Sequence, residues 1–291
     1  GFWMNDGLPP GYRRVVEIRG LGSGIKDSGL DSSQSLIPNT QSPNPICLNR
    51  YGDVNALHIL ASCECGWDHS ARCDGDQIGK EAGDWLNYLP VCLNSILYVI
   101  ENDIADMMAQ LGDTAQAEHW RAIAAARAQA MQRLFWHDDS GFFYDYNWVE
   151  SRLNFHASLA GFYPLWAGWA NADQAERIVR QWLPQFLAEG GLIASLSTYD
   201  NRQWAPPNGW APLQWLTAEG LDRYGYHAEA NTIRRRWCNT CEHGFMRDGT
   251  LLEKYNVLQP HTPPAHGVYG TVKGFGWTNG VYIDFKRKLI N

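Results

Sequence analysis

Two acidic residues in this chain have neighbours that could set them up for proton transfer. Asp68 lies in the run CGWDHSAR, between Trp67 and His69 and shortly before Arg72. Glu253 lies in LLEKYNV, behind Leu251 and Leu252 and ahead of Lys254 and Tyr255. A carboxyl group set against a tryptophan or an apolar pair loses hydration, which favours its protonated form. Hydrolysis of a glycosidic bond needs two carboxyl groups: one protonates the leaving oxygen, the other activates water or attacks carbon. Each acid also has a purely structural reading, Asp68 as an ion-pair partner of Arg72 and Glu253 as a partner of Lys254 or Arg247.

The segment QWAPPNGWAPLQW, Gln203 to Trp215, adds three tryptophans, three prolines and no charged side chain within thirteen residues. Aromatic plates alternating with amides suit a sugar, which has apolar C–H faces and a rim of hydroxyls. Pro206, Pro207 and Gly209 argue against a core helix through this stretch, because they break the hydrogen-bond ladder. A buried loop stapled by tryptophans would have the same composition.

Taken together, these segments resemble the trehalase family of inverting glycoside hydrolases. GWDHSAR is similar to the family's G-W-D-x-S-x-R, QWAPPNGWAPLQW to its Q-W-D-x-P-N-G-W-x-P-L-Q, and LLEKYNV to its E-K-Y-(D/N). GFGWTNGV (Gly274–Val281) is similar to the closing motif, and LPVCLN (Leu89–Asn94) to V-P-V-D-L-N. The resemblance implies an all-α (α/α)6 toroid and hydrolysis of the α,α-1,1 linkage of trehalose to two glucoses, with no metal or cofactor. It places the general acid on Asp68 and the general base on Glu253. Trp67 and Arg72 would flank the acid, and Asn94, Trp204, Asn208, Trp210, Trp277 and Asn279 would bind substrate. Inversion further implies carboxyl groups about 6.5–9.5 Å apart, with room for a water between base and sugar.

Departures from the pattern bear on substrate. Ala205 and Cys92 stand where the family has aspartates, and Val268 and Val272 stand at a glutamate and a glutamine position of the lid. LNRY (Leu48–Tyr51) resembles the start of a further motif whose continuation is absent. A site stripped of polar partners loses its hold on particular hydroxyls. Two alternatives to trehalose hydrolysis follow: a non-catalytic carbohydrate-binding protein on this scaffold, and an α-glucosidase for another glucoside whose aglycone meets Val268 and Val272. His156 reads as a core histidine on a helix face, His261 and His266 as solvent-facing lid residues or substrate contacts, and Glu219 as an i,i+4 partner of Arg223 or a cleft acid. Arg234, Arg235 and Arg236 read as a solvated helix face.

The elements that must position these residues are mostly helical. Residues 1–50, rich in Gly, Ser, Pro and Asn, read as an irregular arm, and 51–291 as the toroid domain. Apolar spacing predicts a helix from Trp85 to Met108, with Leu93, Leu97, Ile100, Ile104 and Met107 on its inner face, and another over Thr114–Phe135. A turn at Asp139–Gly141 predicts a short hairpin. Helices are expected over His156–Gly168, Ala172–Ala188, Trp210–Tyr224, Ala228–Glu242 and Trp277–Lys286. Helix pairs alternating with aromatic loops suit the toroid, and their number falls short of twelve, so the ring is expected to be incomplete on its N-terminal side.

Bulk composition narrows the partners. Lys and Arg number 24 against 31 Asp and Glu, a net charge of −7, which argues against a duplex nucleic acid. No apolar run approaches the roughly 20 residues of a membrane span. The partner implied is a small sugar, a disaccharide. Fourteen tryptophans and thirteen tyrosines exceed what a core requires. The chain opens on Gly1 without a secretory pattern, which leaves its compartment open. Seven cysteines offer no spacing that completes a zinc site, so Cys238 and Cys241 read as buried thiols or a local disulfide.

Overall fold

Prolines and glycines decide where the helices of this chain begin and end. The computed structural model describes residues 54–68, 70–73, 83–197, 202–265 and 270–290. The arm expected over 1–50, the LNRY segment, His266 and Val268 lie outside them. The described chain divides into two compact units.

The first unit holds α1 (Val54–Glu64), α2 (Val91–Gln110), α3 (Thr114–Phe135) and a small sheet in which Tyr88–Leu89, Asp145–Asn147 and Arg152–Asn154 pair antiparallel. The helix expected from Trp85 starts only at Val91. Pro90 is its N-cap in an extended conformation, and the preceding residues form a 3-10 turn and a strand. Asp145 supplies the missing cap from across the unit, its Oδ1 accepting from Val91 N at 2.8 Å.

The buried face of α2 also differs from the expected one. Leu93, Asn94, Leu97, Glu101 and Ala105 are buried, whereas Ile100 and Met107 are 40% and 54% exposed. The helix turns that way because α3 presents Arg127. Its Nε and Nη2 donate to the two oxygens of Glu101 at 2.9 and 2.6 Å, and its Nη1 donates to Asn94 Oδ1 at 2.9 Å. A buried guanidinium must be answered by a carboxylate, and that demand outranks the placement of a methionine.

The second unit holds the remaining helices. The expected hairpin is present, with Trp136 opposite Phe143, His137 opposite Phe142, and Gly141 at φ 65° in the turn. His156 is not on a helix: it lies half-buried in an extended stretch before a 3-10 turn (Leu159–Phe162) and α4 (Tyr163–Ala167). Pro164 fixes that later start, having no N–H to give an earlier turn.

The helix expected over 172–188 is subdivided. α5 (Ala172–Arg177) passes through a π-helical stretch, Ile178–Trp182, into α6 (Leu183–Phe186), because Pro184 cannot donate to the ladder. Short strands Leu187–Ala188 and Gly191–Leu192 then replace the expected last turn.

α7 (Ala211–Arg223) and α8 (His227–Asp248) form an antiparallel pair through a turn at Gly225, φ 84°. α8 runs past Glu242 to Asp248 and stops at Gly249, φ 68°. Gly244, inside that helix, makes room for a ring: a Cβ there would lie 2.3 Å from Tyr255 Cε1. α9 (Gly276–Ile290) packs against both α7 and α8, and outlasts the expected Lys286 end.

Arg234 is buried rather than solvated. It pairs with Glu219 at 3.0 Å and with Asp222, so the partners of Glu219 are Arg234 and Lys288 instead of Arg223. Among the described residues no helix is long and apolar enough to cross a membrane.

Candidate active site

The second unit brings three of the sequence motifs together. Asn208–Trp210 forms a strand, β1, and Lys254–Asn256 a strand, β2, which pair antiparallel with Trp210 opposite Lys254 and Asn208 opposite Asn256. Gly209 is required at the centre of this ribbon. A Cβ there would lie 2.4 Å from Val257 Cγ1 and 2.8 Å from Leu192 O. Gln214 clamps the following helix to Leu192, its amide accepting from the main-chain N–H and donating to the main-chain oxygen, both at 2.8 Å.

The closing motif completes the assembly from α9. Trp277 Nε1 donates to Glu253 O at 3.0 Å, and Thr278 Oγ1 donates to Leu252 O at 2.7 Å. Glu253 N donates to Val272 O at 2.9 Å, and the Tyr255 hydroxyl accepts from Leu252 N at 2.9 Å. Glu253 is thus held through its main chain on both sides, and its side chain is buried. Lys254, with no exposed surface, places Nζ 3.3 Å from Glu253 Oε2 and 5.2 Å from the centre of the Trp210 ring. Trp210 stacks on Trp204 at 4.2 Å and 18°, and meets Trp277 edge-on at 5.7 Å.

The other expected site residues are distributed as follows. In the first unit α1 ends in a turn at Gly66, φ 75°, whose N–H donates to Cys63 O at 3.0 Å. That left-handed turn carries the chain into a fully buried Trp67 and leaves Asp68 half-buried. Burial, and then the Asp68 carboxylate, push the Cys63 thiol up. Asp68 belongs to this unit and Glu253 to the second, which also includes the buried Arg72.

Asn94 and Asn208 spend their amides within the chain. Asn94 Nδ2 donates to Pro90 O at 3.0 Å while its Oδ1 receives Arg127. Asn208 Nδ2 donates to Gln203 O at 3.1 Å and to Ala265 O at 3.3 Å, and its Oδ1 accepts from Ala265 N at 3.0 Å. Trp210 Nε1 donates to Gln203 O at 3.0 Å. Asn94, Asn208 and Trp210 have no exposed surface. Trp277 is half-buried, and Asn279 is exposed with Nδ2 on Phe275 O at 2.7 Å. His261 is exposed and lies 4.3 Å from the His243 ring, centre to centre.

Sequence reasoning treated Lys254 only as a neighbour of Glu253, and it missed Glu101 and Arg127. The signal for Lys254 was its place inside the motif; Arg127 had none, because its partners lie 26 and 33 positions away.

Two cavities lie in the second unit. One, of about 440 Å³, is lined by Pro212, Trp215, Leu216, Trp277, Gly280 and Val281, and has no acid to do chemistry. The other contains Glu219 and Asp222, both already engaged by Arg234. The six described cysteines are free thiols. Burial raises Cys238 to about 12 and Cys241 well above its usual value, so neither is a ready nucleophile. Among the described residues no group of three or more His, Cys, Asp or Glu is placed to hold a metal ion.

Comparison with known proteins places this architecture. The trehalase family model matches residues 40–289, and the chain belongs to that family. It is 34% identical over 291 residues to the periplasmic trehalase of Salmonella paratyphi B, a match covering 97% of this chain and 50% of that one. The periplasmic trehalase of Salmonella dublin matches at the same identity and coverage. The chain therefore spans about half the length of the curated relatives it matches. Among solved structures, the neutral trehalase of Saccharomyces cerevisiae superposes with a TM-score of 0.61 at 33% identity, over 72% of this chain and 39% of that one. A GH63 mannosylglycerate hydrolase of Thermus thermophilus superposes with a TM-score of 0.56 at 20% identity, over 72% and 50% of the two chains, a likeness of fold alone. The fold class is the (α/α)6 toroid of helical hairpins.

Proposed function

We propose that this chain belongs to an inverting glycoside hydrolase that cleaves an α-glucosidic bond, with α,α-trehalose as substrate and two glucoses as products. One observation supports this above the others: the Glu253 loop is gripped by two further family motifs, through the β1–β2 ribbon and through Trp277 and Thr278. In this reading 51–291 is catalytic toroid and 1–50 an arm; the family model begins at residue 40 and so overlaps the end of that arm. The names of the relatives supply the substrate.

Asp68 gives its proton to the glycosidic oxygen as the C–O bond breaks, so that the departing glucose leaves as an alcohol. Glu253 takes a proton from a water that attacks the anomeric carbon from the opposite face. The attacked glucose emerges with its configuration inverted to β, while the leaving glucose keeps its α configuration. Trp67 and Arg72 flank the acid. Trp277 and Asn279, which retain accessible surface, meet the sugar. Trp204, Trp210, Asn94 and Asn208 hold the walls.

The test is glucose release from trehalose, with the product anomers read by proton NMR in the first minutes. Equal α- and β-glucose is expected from the wild type. D68A and E253Q should each fall by about 10³-fold or more while remaining folded. An active D68A, or a product of α-glucose alone, would remove the assignment.

A second reading, hydrolysis of another α-glucoside, is favoured by Ala205 and Cys92. Both are buried apolar residues where the family carries carboxylates. A higher kcat/KM on a glucosylated polyol or acid than on trehalose would select it. Sugar binding without release would select the non-catalytic reading.

A further inference from the structure

We infer that Lys254 is a positioning residue for the Glu253 carboxylate, and that Trp210, backed by Trp204 and braced by Trp277, is there to hold the Lys254 ammonium rather than to stack on sugar. This rests on the hydrolase reading and adds to it the device that keeps the base in place.

An ammonium without accessible surface has given up its water and persists only where other groups replace that hydration. Two such groups are present. Glu253 Oε2 lies 3.3 Å from Nζ, and the Trp210 ring centre lies 5.2 Å away, within the range of a cation–π contact. The ring cannot swing aside. Trp204 stacks on it at 4.2 Å, its own Nε1 is tied to Gln203 O at 3.0 Å, and the ladder sets Trp210 directly opposite Lys254. Trp277 joins the edge of that ring to the Glu253 main chain. Both the main chain and the carboxylate of the base are therefore located by one aromatic assembly.

A general base must point at the water it deprotonates. A cation held beside one carboxylate oxygen fixes the direction of the group. Lys254 itself exchanges no proton during turnover, so its removal should act on kcat and leave KM nearly alone.

The experiment measures kcat and KM on trehalose for the wild type, K254M, K254R, W210F and E253Q, with folding checked by circular dichroism. K254M is expected to lose about tenfold in kcat at a nearly unchanged KM. K254R should recover most of the loss, and W210F should lower kcat by less, again at a nearly unchanged KM. A folded K254M with the wild-type kcat overturns the proposal, while an inactive E253Q in the same series leaves the hydrolase reading standing. Should K254M fail to fold, W210F decides: an unchanged kcat overturns the role of the aromatic wall. A wild type that releases no glucose removes the hydrolase reading, and this inference with it.

Discussion

Two buried acid–base pairs among the described residues have similar chemistry and are built differently. In the α2–α3 hairpin, Arg127 takes both oxygens of Glu101 at 2.6 and 2.9 Å and gives its remaining arm to Asn94. In the β1–β2 ribbon, Lys254 meets one oxygen of Glu253 at 3.3 Å and rests its charge on an indole face. A planar fork that saturates a carboxylate makes a joint between helices. An ammonium is a point charge without that fork, and here it sits 3.3 Å from one carboxylate oxygen and over an indole ring. The first arrangement suits a joint between helices, and the second suits the positioning role proposed for Lys254.

The sharpest way to break this contrast is R127M. It leaves Glu101 buried without its counter-ion, which should cost about 3–5 kcal/mol in denaturant unfolding. The double variant E101L/R127M should recover part of that loss, since no charge is then stranded. A cost for R127M below about 1 kcal/mol, the range of exposed pairs, would erase the distinction.

G209A probes the ribbon itself. Its added methyl group would run into Val257 and the Leu192 carbonyl, so a loss of about 1–3 kcal/mol is expected in the same unfolding experiment. Wild-type stability for G209A would show that the ribbon is loosely packed.

D222N sharpens the comparison from the weaker side, because Asp222 is a partly exposed partner of the buried Arg234. Burial favours its neutral form, but hydrogen bonds from Arg234 and then His227 outweigh burial and hold the carboxyl below its usual range. A carboxyl depressed on folding lends stability that is complete above its unfolded pKa, about 3.9, and vanishes as pH falls through the folded value. D222N should therefore lower Tm slightly at neutral pH, by a loss of about 1 kcal/mol or less, and its Tm curve should converge with the wild type below about pH 4. Parallel curves throughout would refute the linkage.

Much of the helical plan was legible in the sequence, and its errors share a cause. Thr114–Phe135 came out as expected because an alanine-rich amphipathic run needs little help. Trp85 and His156 are expected inside helices that Pro90 and Pro164 start later, and α8 runs past its expected Glu242 end through Gly244. Gly244 is a landing place for Tyr255, a contact eleven residues away in sequence that no local pattern encodes. The candidate site was legible as motifs. Its layering was not: Asn208 and Trp210 carry the side chains of a sugar platform and use them on the main chain.

By itself the sequence determined the family and singled out the segments and the two acids proposed for its chemistry, because residue types in a fixed order carry that information before any folding occurs. Only the tertiary structure decided which of those residues remain accessible and which become framework. Burial and hydrogen-bond partnership are properties of residues distant in sequence and near in space, as Trp210 is to Lys254, and they appear only once the strands have paired.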